Sequence, residues 1–368
     1  MARSSAAQDA EALPEADRLD GFPHPRETAR LFGHETAEQM LVEAFEGGRM
    51  HHAWLLAGPA GIGKATLAYR VARYILARPS ERKAAGNGLD VVAESAAARQ
   101  VSALSHAGLL VLRRPYDARA KRFAIAITVD EARRLKSFVG LTAGEGTWRV
   151  VIVDTADELN LNAANALLKT LEEPPQRVLF LLVTSEPGGL LPTIRSRCRR
   201  LDLHALSPEP LRAATESALT ASAFDAPSPS EWEQLAPLSA GSVRLALQLV
   251  ASGGLALHRQ LAAIFAGLPK LDWTNAHSLA DSLAGAAQEQ RYEIFFSLLL
   301  DGMAQYARVR ASHPAAGPSE TLLAHWAEVW GTVLCDKADT EELNLDRRAL
   351  ILRTFGRLET ASRLLDGK

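Results

Sequence analysis

Residues 54–64 read W-L-L-A-G-P-A-G-I-G-K, a short apolar stretch that runs directly into a glycine-rich loop ending in lysine. The loop has the spacing G-x-x-x-x-G-K of a phosphate-binding loop, and Thr66–Leu76 continues it with helical periodicity. Glycines allow several backbone N–H groups to face one phosphate, the helix N-terminus adds its dipole, and the lysine adds a mobile positive charge. The stretch therefore predicts a nucleotide loop between a strand and a helix, with phosphate contacts from Gly58, Gly61, Gly63 and Lys64.

The position after the lysine departs from the usual pattern of this loop. Ser or Thr normally stands there so that its hydroxyl reaches Mg²⁺, whereas this chain has Ala65 and carries the hydroxyl on Thr66. One residue turns a helical side chain by about 100°, so we expect Thr66 to point away from the ion. The sequence thus predicts a loop that keeps its phosphate contacts and has damaged Mg²⁺ coordination. The alternative is a glycine-rich turn that binds nothing.

A second nucleotide motif is predicted at residues 149–154, R-V-V-I-V-D, an apolar strand that ends in a carboxylate. In P-loop ATPases such a carboxylate orients Mg²⁺ and its water. Many of them place Glu directly after that Asp, but here Thr155 follows Asp154 and cannot act as a general base at neutral pH. The alternative is that Asp154 only caps the next helix. Together, Ala65 and Thr155 predict a degenerate ATPase with weak or absent hydrolysis.

Apolar strands alternate with amphipathic helices up to about residue 205, and this alternation predicts a parallel sheet covered on both faces. Further strands are expected at Gly108–Leu112 and Val178–Thr184, and the pattern beyond residue 205 is helical throughout. The expected organisation is a disordered acidic tail at 1–20, an α/β nucleotide-binding-like domain at 21–205, a small helical domain at 206–268 and an all-helical domain at 269–368.

The overall composition excludes several classes of protein. Of the 368 residues, 47% are hydrophobic, as in an ordinary globular protein. The net charge of −2 excludes a protein that binds nucleic acid through an overall positive charge. The two cysteines, Cys198 and Cys335, form no C-x-x-C pair, so neither a zinc ribbon nor a disulfide framework is expected. No apolar run is long enough for a membrane span and the first twenty residues lack a signal-peptide pattern, so we expect a cytoplasmic protein.

Two basic sets are candidates for contacts with phosphates. Residues 195–200 read R-S-R-C-R-R, and an arginine displayed there could reach a nucleotide held by a neighbouring subunit. Cys198 in this run is interpreted as a small packed hydrophobe, because His204 has no evident partner that would orient it as a base. The second set is Arg133 and Arg134 on the helix that follows Asp130, where DNA contact and a solvated charged face are equally consistent with the pattern.

Three stretches together resemble the delta-prime family of bacterial DNA polymerase III clamp-loader subunits, which belong to the AAA+ superfamily and are related to the small subunits of replication factor C. They are HHAWLLAGPAGIGKATLA at 51–68, RVVIVDTADELNLNAANALLKTLEEPP at 149–175 and LLPTIRSRC at 190–198. The resemblance covers about residues 22–250. It implies an AAA+ P-loop domain, a helical lid domain and an all-helical C-terminal collar domain that joins subunits.

The resemblance also implies roles for individual residues. It places Gly58–Ala65 in the nucleotide loop, Asp154 in the second motif, Thr184 as sensor 1, Arg244 as sensor 2 and Arg197 as an arginine finger acting in trans. The implied protein is a component of the DNA polymerase III holoenzyme, without polymerase or nuclease activity of its own, that helps to load the sliding clamp onto primed DNA. Its implied partners are delta and tau/gamma subunits in a five-subunit ring.

The resemblance leaves the cofactor and one alternative open. ATP or ADP is the implied cofactor. Delta-prime subunits often have a degenerate phosphate-binding loop, whereas this chain retains Lys64, so the resemblance does not decide whether a nucleotide is bound. Some relatives carry a four-cysteine zinc module after the loop helix, whereas residues 79–106 contain no cysteine and no zinc is expected. The alternative is an active AAA+ ATPase, the motor subunit of a loader or of a DNA-remodelling complex. A plain DNA-binding module is disfavoured by the net charge.

Overall fold

The computed structural model describes residues 14–82, 88–140, 147–285, 288–311 and 320–365. The chain divides into two compact units. The first contains residues up to 226 together with 236–246, and the second contains residues 227–235 and those from 247 onward. The first unit is an α/β structure and the second is helical, as the change in sequence pattern predicts.

A five-stranded parallel sheet forms the centre of the first unit. Its strands are β1 (Ala53–Ala57), β2 (Leu109–Leu112), β5 (Arg149–Asp154), β6 (Val178–Thr184) and β7 (Arg199–Asp202), and a separate antiparallel pair consists of β3 (Tyr116–Asp117) and β4 (Arg122–Phe123). The strand order in the sheet is β2-β5-β6-β1-β7. All residues of β1 and β6 are buried, which explains why these strands lack the alternation of a half-exposed strand.

Helices cover both faces of this sheet. In the first unit they are α1 (Glu35–Glu46), α2 (Lys64–Leu76), α3 (Ala96–Ser102), α4 (Val129–Gly140), α5 (Leu161–Glu172), α6 (Pro192–Arg195) and α7 (Pro208–Thr220). On one face, Leu67 of α2 packs in a core with Ile152 and Leu181. On the other, Leu167 of α5 packs in a core with Phe180. The prediction of a parallel sheet buried on both faces is confirmed.

The remaining helices are α8 (Pro229–Leu238), α9 (Val243–Ala251), α10 (Gly254–Gly267), α11 (Trp273–Leu283), α12 (Glu289–Ala311), α13 (Glu320–Glu342) and α14 (Arg347–Leu365). In the second unit, α10 packs on α12, and α14 packs on α11 and α13. Phe295 and Phe355 meet edge to face at 6.0 Å between ring centroids, and the Trp326 Nε1–H donates to the Met303 carbonyl at 3.0 Å. Among the described residues, no single helix is long and apolar enough to cross a membrane; α9 and α10, separated by a bend, pass only as a pair and only by length and composition.

The segment before α1 departs from the expected organisation. Residues 1–13 of the expected disordered tail lie outside the described part of the chain, but residues 14–20 are placed and Glu15 and Asp17 form ion pairs with Arg113. The expectation of disorder is therefore corrected for residues 14–20, because those ion pairs fix carboxylates that composition alone assigns to solvent. The division of the remaining chain into domains at 21–205, 206–268 and 269–368 stays a prediction.

Candidate nucleotide site

The nucleotide motifs meet at the carboxyl edge of the parallel sheet, where ligands bind in open α/β folds. Asp154 ends β5, Thr184 ends β6, and the loop 58–64 begins directly after β1. Register places Ala57 beside Thr184 and Asp154 beside Val183, so the three strand ends are neighbours. The two motifs that the sequence separates by about ninety residues therefore form one candidate site.

The loop itself has a backbone that only glycine fits easily. Gly58, Gly61 and Gly63 all have positive φ angles, of 151°, 74° and 108°. A Cβ on Gly58 would lie 2.2 Å from the Leu203 carbonyl oxygen, and one on Gly61 would lie 2.3 Å from the Ser242 Oγ. Gly58 and Gly61 are thus required by the packing of the loop against the segments around residues 203 and 242, whereas a Cβ on Gly63 would lie 2.9 Å from the Leu31 side chain.

The Lys64 side chain folds back onto the loop to which it belongs. Its ammonium donates to the carbonyls of Gly58 and Pro59, at 2.7 and 2.5 Å, and to the Ser185 Oγ at 3.1 Å. The residue is 4% exposed, and burial lowers the pKa of Lys64 to about 8, although the charges of Asp154 and Asp157 oppose the shift. A phosphate would have to replace these carbonyl contacts before Lys64 could serve it.

The Asp154 carboxyl group is buried, and its neighbours do not offset the cost of burying its negative charge. Burial raises its pKa to about 7, with the charges of Asp17 and Glu158 adding to the shift and those of Lys64 and Arg113 opposing it. Among the described residues its Oδ2 atom has no hydrogen-bond partner. This carboxyl is therefore partly protonated at neutral pH, which makes it a weaker ligand for a cation.

The donor set does not fit a nucleotide-bound Mg²⁺. Ala65, in the first turn of α2, has only a methyl group where a hydroxyl is needed, and the neighbouring Thr66 cannot occupy the same direction on the helix. Asp154 is the one carboxylate of the second motif and is held partly neutral. Thr184, the expected sensor 1, is buried and its Oγ1 accepts the Glu186 N–H at 3.2 Å. The damaged Mg²⁺ coordination stays a prediction.

Arg244, the expected sensor 2, lies against the loop. Its backbone N–H donates to the Gly61 carbonyl at 3.2 Å, and its guanidinium Nη1 donates to the Asp17 carbonyl at 3.2 Å. The structure therefore brings Arg244 to the predicted site, but its side chain contacts the segment that precedes α1. In this arrangement both cationic side chains of the site, Lys64 and Arg244, are engaged by main-chain oxygens.

A charged network beside the site was missed by sequence reasoning. Arg113, directly after β2, donates to Glu15 at 2.6 Å and to Asp17 at 2.9 Å, and Arg26 donates to Glu15 at 2.8 Å. Burial raises the pKa of Glu15, but the hydrogen bonds from Arg26 and Arg113 outweigh it and bring the value to about 2. The His24 Nε2 lies 3.0 Å from the Asp17 Oδ2. Only the density of acids and basic residues near the N-terminus could have hinted at this network.

Arg197 lies outside this group, between α6 and β7. Its Nη2 is 2.8 Å from the Glu172 Oε1 at the end of α5, and its Nη1 donates to the Thr193 carbonyl at 3.0 Å. The side chain is 34% exposed, whereas Lys64 is almost completely buried. A third contact joins Nη1 to the Ser196 Oγ at 3.5 Å. The predicted finger is therefore accessible and held by three contacts within its own chain.

Two further arginines of the run lie in the edge strand of the sheet. Arg199 and Arg200 lie in β7, where the Arg199 guanidinium sits 4.8 Å from the Trp54 ring centroid and the Arg200 Nε donates to Asp202 at 2.7 Å. Cys198 packs against the core beneath α5, and burial raises the pKa of its thiol to about 12. Its interpretation as a packed hydrophobe is confirmed.

Arg133 and Arg134 occupy the exposed face of α4. Each forms an ion pair one turn earlier on the helix, Arg133 with Asp130 at 2.6 Å and Arg134 with Glu131 at 2.5 Å. Arg133 also lines a cavity of about 360 Å³ between α4 and α5, together with Val129, Asn162, Asn165, Ala166 and Lys169. The structure keeps both side chains accessible and gives each an acidic partner.

Comparison with known proteins gives a consistent result. A family model described as DNA polymerase III, delta subunit, matches residues 33–207. The chain is 35% identical to the DNA polymerase III subunit delta' of Pseudomonas aeruginosa over 76% of this chain and 79% of that protein. It is 31% identical to the corresponding subunit of Escherichia coli, with 73% and 74% covered. The E. coli tau subunit is 32% identical over 72% of this chain but only 39% of tau. A solved structure of a gamma subunit-related protein from Thermotoga maritima aligns with a TM-score of 0.45 and 17% identity, covering 89% of this chain and 99% of that one.

Proposed function

Because this chain belongs to the delta-prime family of bacterial DNA polymerase III subunits, we propose that it is a clamp-loader subunit whose chemical contribution is an arginine finger. In this function Arg197 reaches a nucleotide bound by the adjacent subunit. The chain itself hydrolyses ATP weakly or not at all. It belongs with the subunits of the replication machinery in the cytoplasm.

The contacts of Lys64 and the state of Asp154 support weak hydrolysis. Hydrolysis of a nucleotide needs a cation beside the phosphates and a base or water-orienting group, and losing these elements costs several orders of magnitude in rate. Here Lys64 is held by loop carbonyls, Ala65 offers no hydroxyl and Thr155 replaces the usual Glu. ATP or ADP could occupy the loop only after Lys64 has left those carbonyls.

The single observation that carries the proposal is the accessible, oriented guanidinium of Arg197. An arginine has five N–H donors and pairs with two phosphate oxygens at once, a geometry that lysine cannot reproduce. Three of its donors are used within the chain, by Glu172, Thr193 and Ser196. Its remaining donors are available to the transferred phosphoryl group of a neighbour.

The proposed assembly is the five-subunit ring in which delta and tau/gamma subunits are the neighbours and the sliding clamp and primed DNA are the substrates. Arg133 and Arg134 are the proposed contacts to DNA phosphates. Their ion pairs with Asp130 and Glu131 are exposed, so each is worth at most about 1 kcal/mol and can be exchanged for a phosphate. Neutralising both arginines should weaken DNA binding by the assembly and make its salt dependence shallower.

The test is Arg197→Ala in a loader reconstituted with all other subunits unchanged. A finger contributes about 10³–10⁵ in kcat at the site it completes, and one site among several loses it here. We expect the variant to join the ring and to slow both ATP turnover in the presence of clamp and DNA and the rate of loading. Arg195→Ala is the matched control, since Arg195 is an exposed arginine in the same run. Normal loading by Arg197→Ala would refute the finger.

The retained Lys64 favours one alternative, an active ATPase subunit. The pure chain would then turn over ATP at about one per second or faster and lose this activity on Lys64→Ala. We expect instead no turnover above background. Steady-state phosphate release by the isolated chain distinguishes the two functions.

A further inference from the structure

The ion pair between Glu172 and Arg197 joins two elements that the protein core holds at a fixed separation. Glu172 is the last residue of α5, and Arg197 lies two residues beyond the end of α6. Leu171, next to Glu172, is 1% exposed, and Ile194, three residues before Arg197, is fully buried in the same core. The two charged side chains therefore start from backbone positions that are set by packing and not by the ion pair itself.

The two contacts hold different nitrogens of the guanidinium. Glu172 accepts from Nη2 at 2.8 Å, and the Thr193 carbonyl accepts from Nη1 at 3.0 Å. A guanidinium has one N–H on Nε and two on each terminal nitrogen. Nη1 also donates to the Ser196 Oγ at 3.5 Å. Two N–H groups therefore remain, one on Nε and one on Nη2, and this is enough for a paired contact with phosphate oxygens. The arrangement orients the finger while leaving it able to act.

We propose that Glu172 is a positioning residue for Arg197 and fixes the finger in the orientation that meets the neighbour's phosphates. The inference rests on the proposed function, because positioning matters only if Arg197 acts in trans. An arginine side chain loses substantial rotamer freedom when it binds one target, and an arginine that is already held loses less. The ion pair with Glu172 restricts the rotamers of Arg197 before the neighbouring subunit binds.

The adjacent Glu173 provides a matched control. It has the same charge and the same exposed position at the end of α5, yet in the described part of the chain no hydrogen bond or ion pair joins it to Arg197. Any effect of net charge on the neighbouring phosphates would be shared by the two residues. Any effect of orientation would be confined to Glu172.

The experiment measures ATP turnover and clamp loading by the reconstituted loader containing Glu172→Ala, Glu172→Gln or Glu173→Ala. We expect Glu172→Ala to lower kcat about 3- to 10-fold, within the range of a partly exposed charged contact, with KM for ATP and the affinity for the other subunits unchanged. Glu172→Gln keeps an oxygen acceptor at the same position and should retain most of the activity. Glu173→Ala should match the unaltered subunit.

A double variant shows whether Glu172 acts through Arg197. If it does, Glu172→Ala adds no further loss to Arg197→Ala, because the group that it orients is already gone. Equal kcat for Glu172→Ala and the unaltered subunit, a gain in kcat, or a loss that adds fully to that of Arg197→Ala would each overturn the inference. If Arg197→Ala itself loads normally, the proposed finger fails first. If Arg197→Ala is slow and Glu172→Ala is not, only the positioning role is wrong. Thermal unfolding of each variant shows whether the fold is intact, and we expect the alanine variant to fold because the Glu172 side chain is 49% exposed.

Discussion

Replacing Asp154 by Asn should remove a pH-dependent loss of stability from the first unit. The folded pKa of Asp154 is about 7, against 3.8 for a free aspartate, because burial penalises the charged carboxylate. A folded pKa above the unfolded value means that the neutral form is favoured in the fold. The stability it contributes is fully present below pH 3.8 and is lost as the pH rises through about 7.

The magnitude follows from the interval between the two pKa values. From 3.8 to about 7 the interval is about three pH units, each about 1.4 kcal/mol. Ionisation of Asp154 should therefore lower the free energy of unfolding by roughly 4 kcal/mol once the pH exceeds 7. Asparagine has nearly the same shape and never ionises. The stability of Asp154→Asn relative to the unaltered protein should therefore increase by roughly this amount between pH 4 and pH 8.

The assay is hydrogen exchange in peptides of β5 and β6 as a function of urea, which reports the first unit separately from the helical one. EDTA removes divalent cations, which would compete for the carboxylate. Glu15 and Asp17 do not interfere, because hydrogen bonds and charges from their partners outweigh burial and bring the pKa of each to about 2. Asp202→Asn, at the exposed end of β7, is the control. An equal effect of Asp154→Asn at pH 4.5 and pH 8 would refute the reasoning.

Three further predictions concern the same region. Arg113→Ala should lower the free energy of unfolding by about 2–3 kcal/mol, because it leaves Glu15 and Asp17 without their shared cation. Native-state hydrogen exchange checks this, since we expect faster exchange only in residues 14–28 and β2. Gly61→Ala should cost about 1–3 kcal/mol through its positive φ and its clash with Ser242, and an unchanged urea midpoint would contradict it. Ala65→Ser should leave the isolated chain without ATP turnover, because Lys64 and Asp154 are unchanged; measurable phosphate release would show that the missing hydroxyl was the main defect.

The buried strands could be predicted closely from the sequence. Residues 149–154 and 178–184 are β5 and β6 with the bounds that the apolar runs indicate. Such strands are covered on both faces, so burial alone sets their length. The edge strand β7 was not predicted, because three of its four residues are exposed and it reads as part of an arginine run. Its pairing with β1 comes from the neighbouring strand and not from its own composition.

Helix starts depended on contacts that are distant in sequence. The spacing of the apolar residues Met40, Leu41, Ala44 and Phe45 predicts a helix over residues 31–45, but α1 begins at Glu35. Gly33 has a φ of 73°, and a Cβ there would lie 2.7 Å from the Leu206 side chain. Helix α3, in the weakly patterned stretch 79–106, begins where the Ser95 Oγ accepts the Ala98 N–H. Both starts are determined by packing or capping that periodicity does not report.

The site could be predicted in part, since motifs name residues that are close in sequence. The loop, Asp154, Thr184 and Arg244 meet as expected. The network of Glu15, Asp17 and Arg113 could not be predicted, because its ion pairs join residues that are 96 and 98 positions apart in the sequence. Glu172 was missed for the same reason: the sequence places it within a motif, and only the fold places it against Arg197.

The retained glycines also show why a nucleotide motif is weak evidence for nucleotide chemistry in this chain. Gly58 and Gly61 are needed wherever the loop packs against the Leu203 carbonyl and the Ser242 side chain, and that packing holds with Lys64 bound to the loop's own oxygens. A subunit that no longer hydrolyses ATP would still lose stability if either glycine changed. Ala65 and Thr155 are the positions where the sequence departs from the usual catalytic pattern. The loop glycines are thus required by the packing of the fold, whether or not the loop binds a nucleotide.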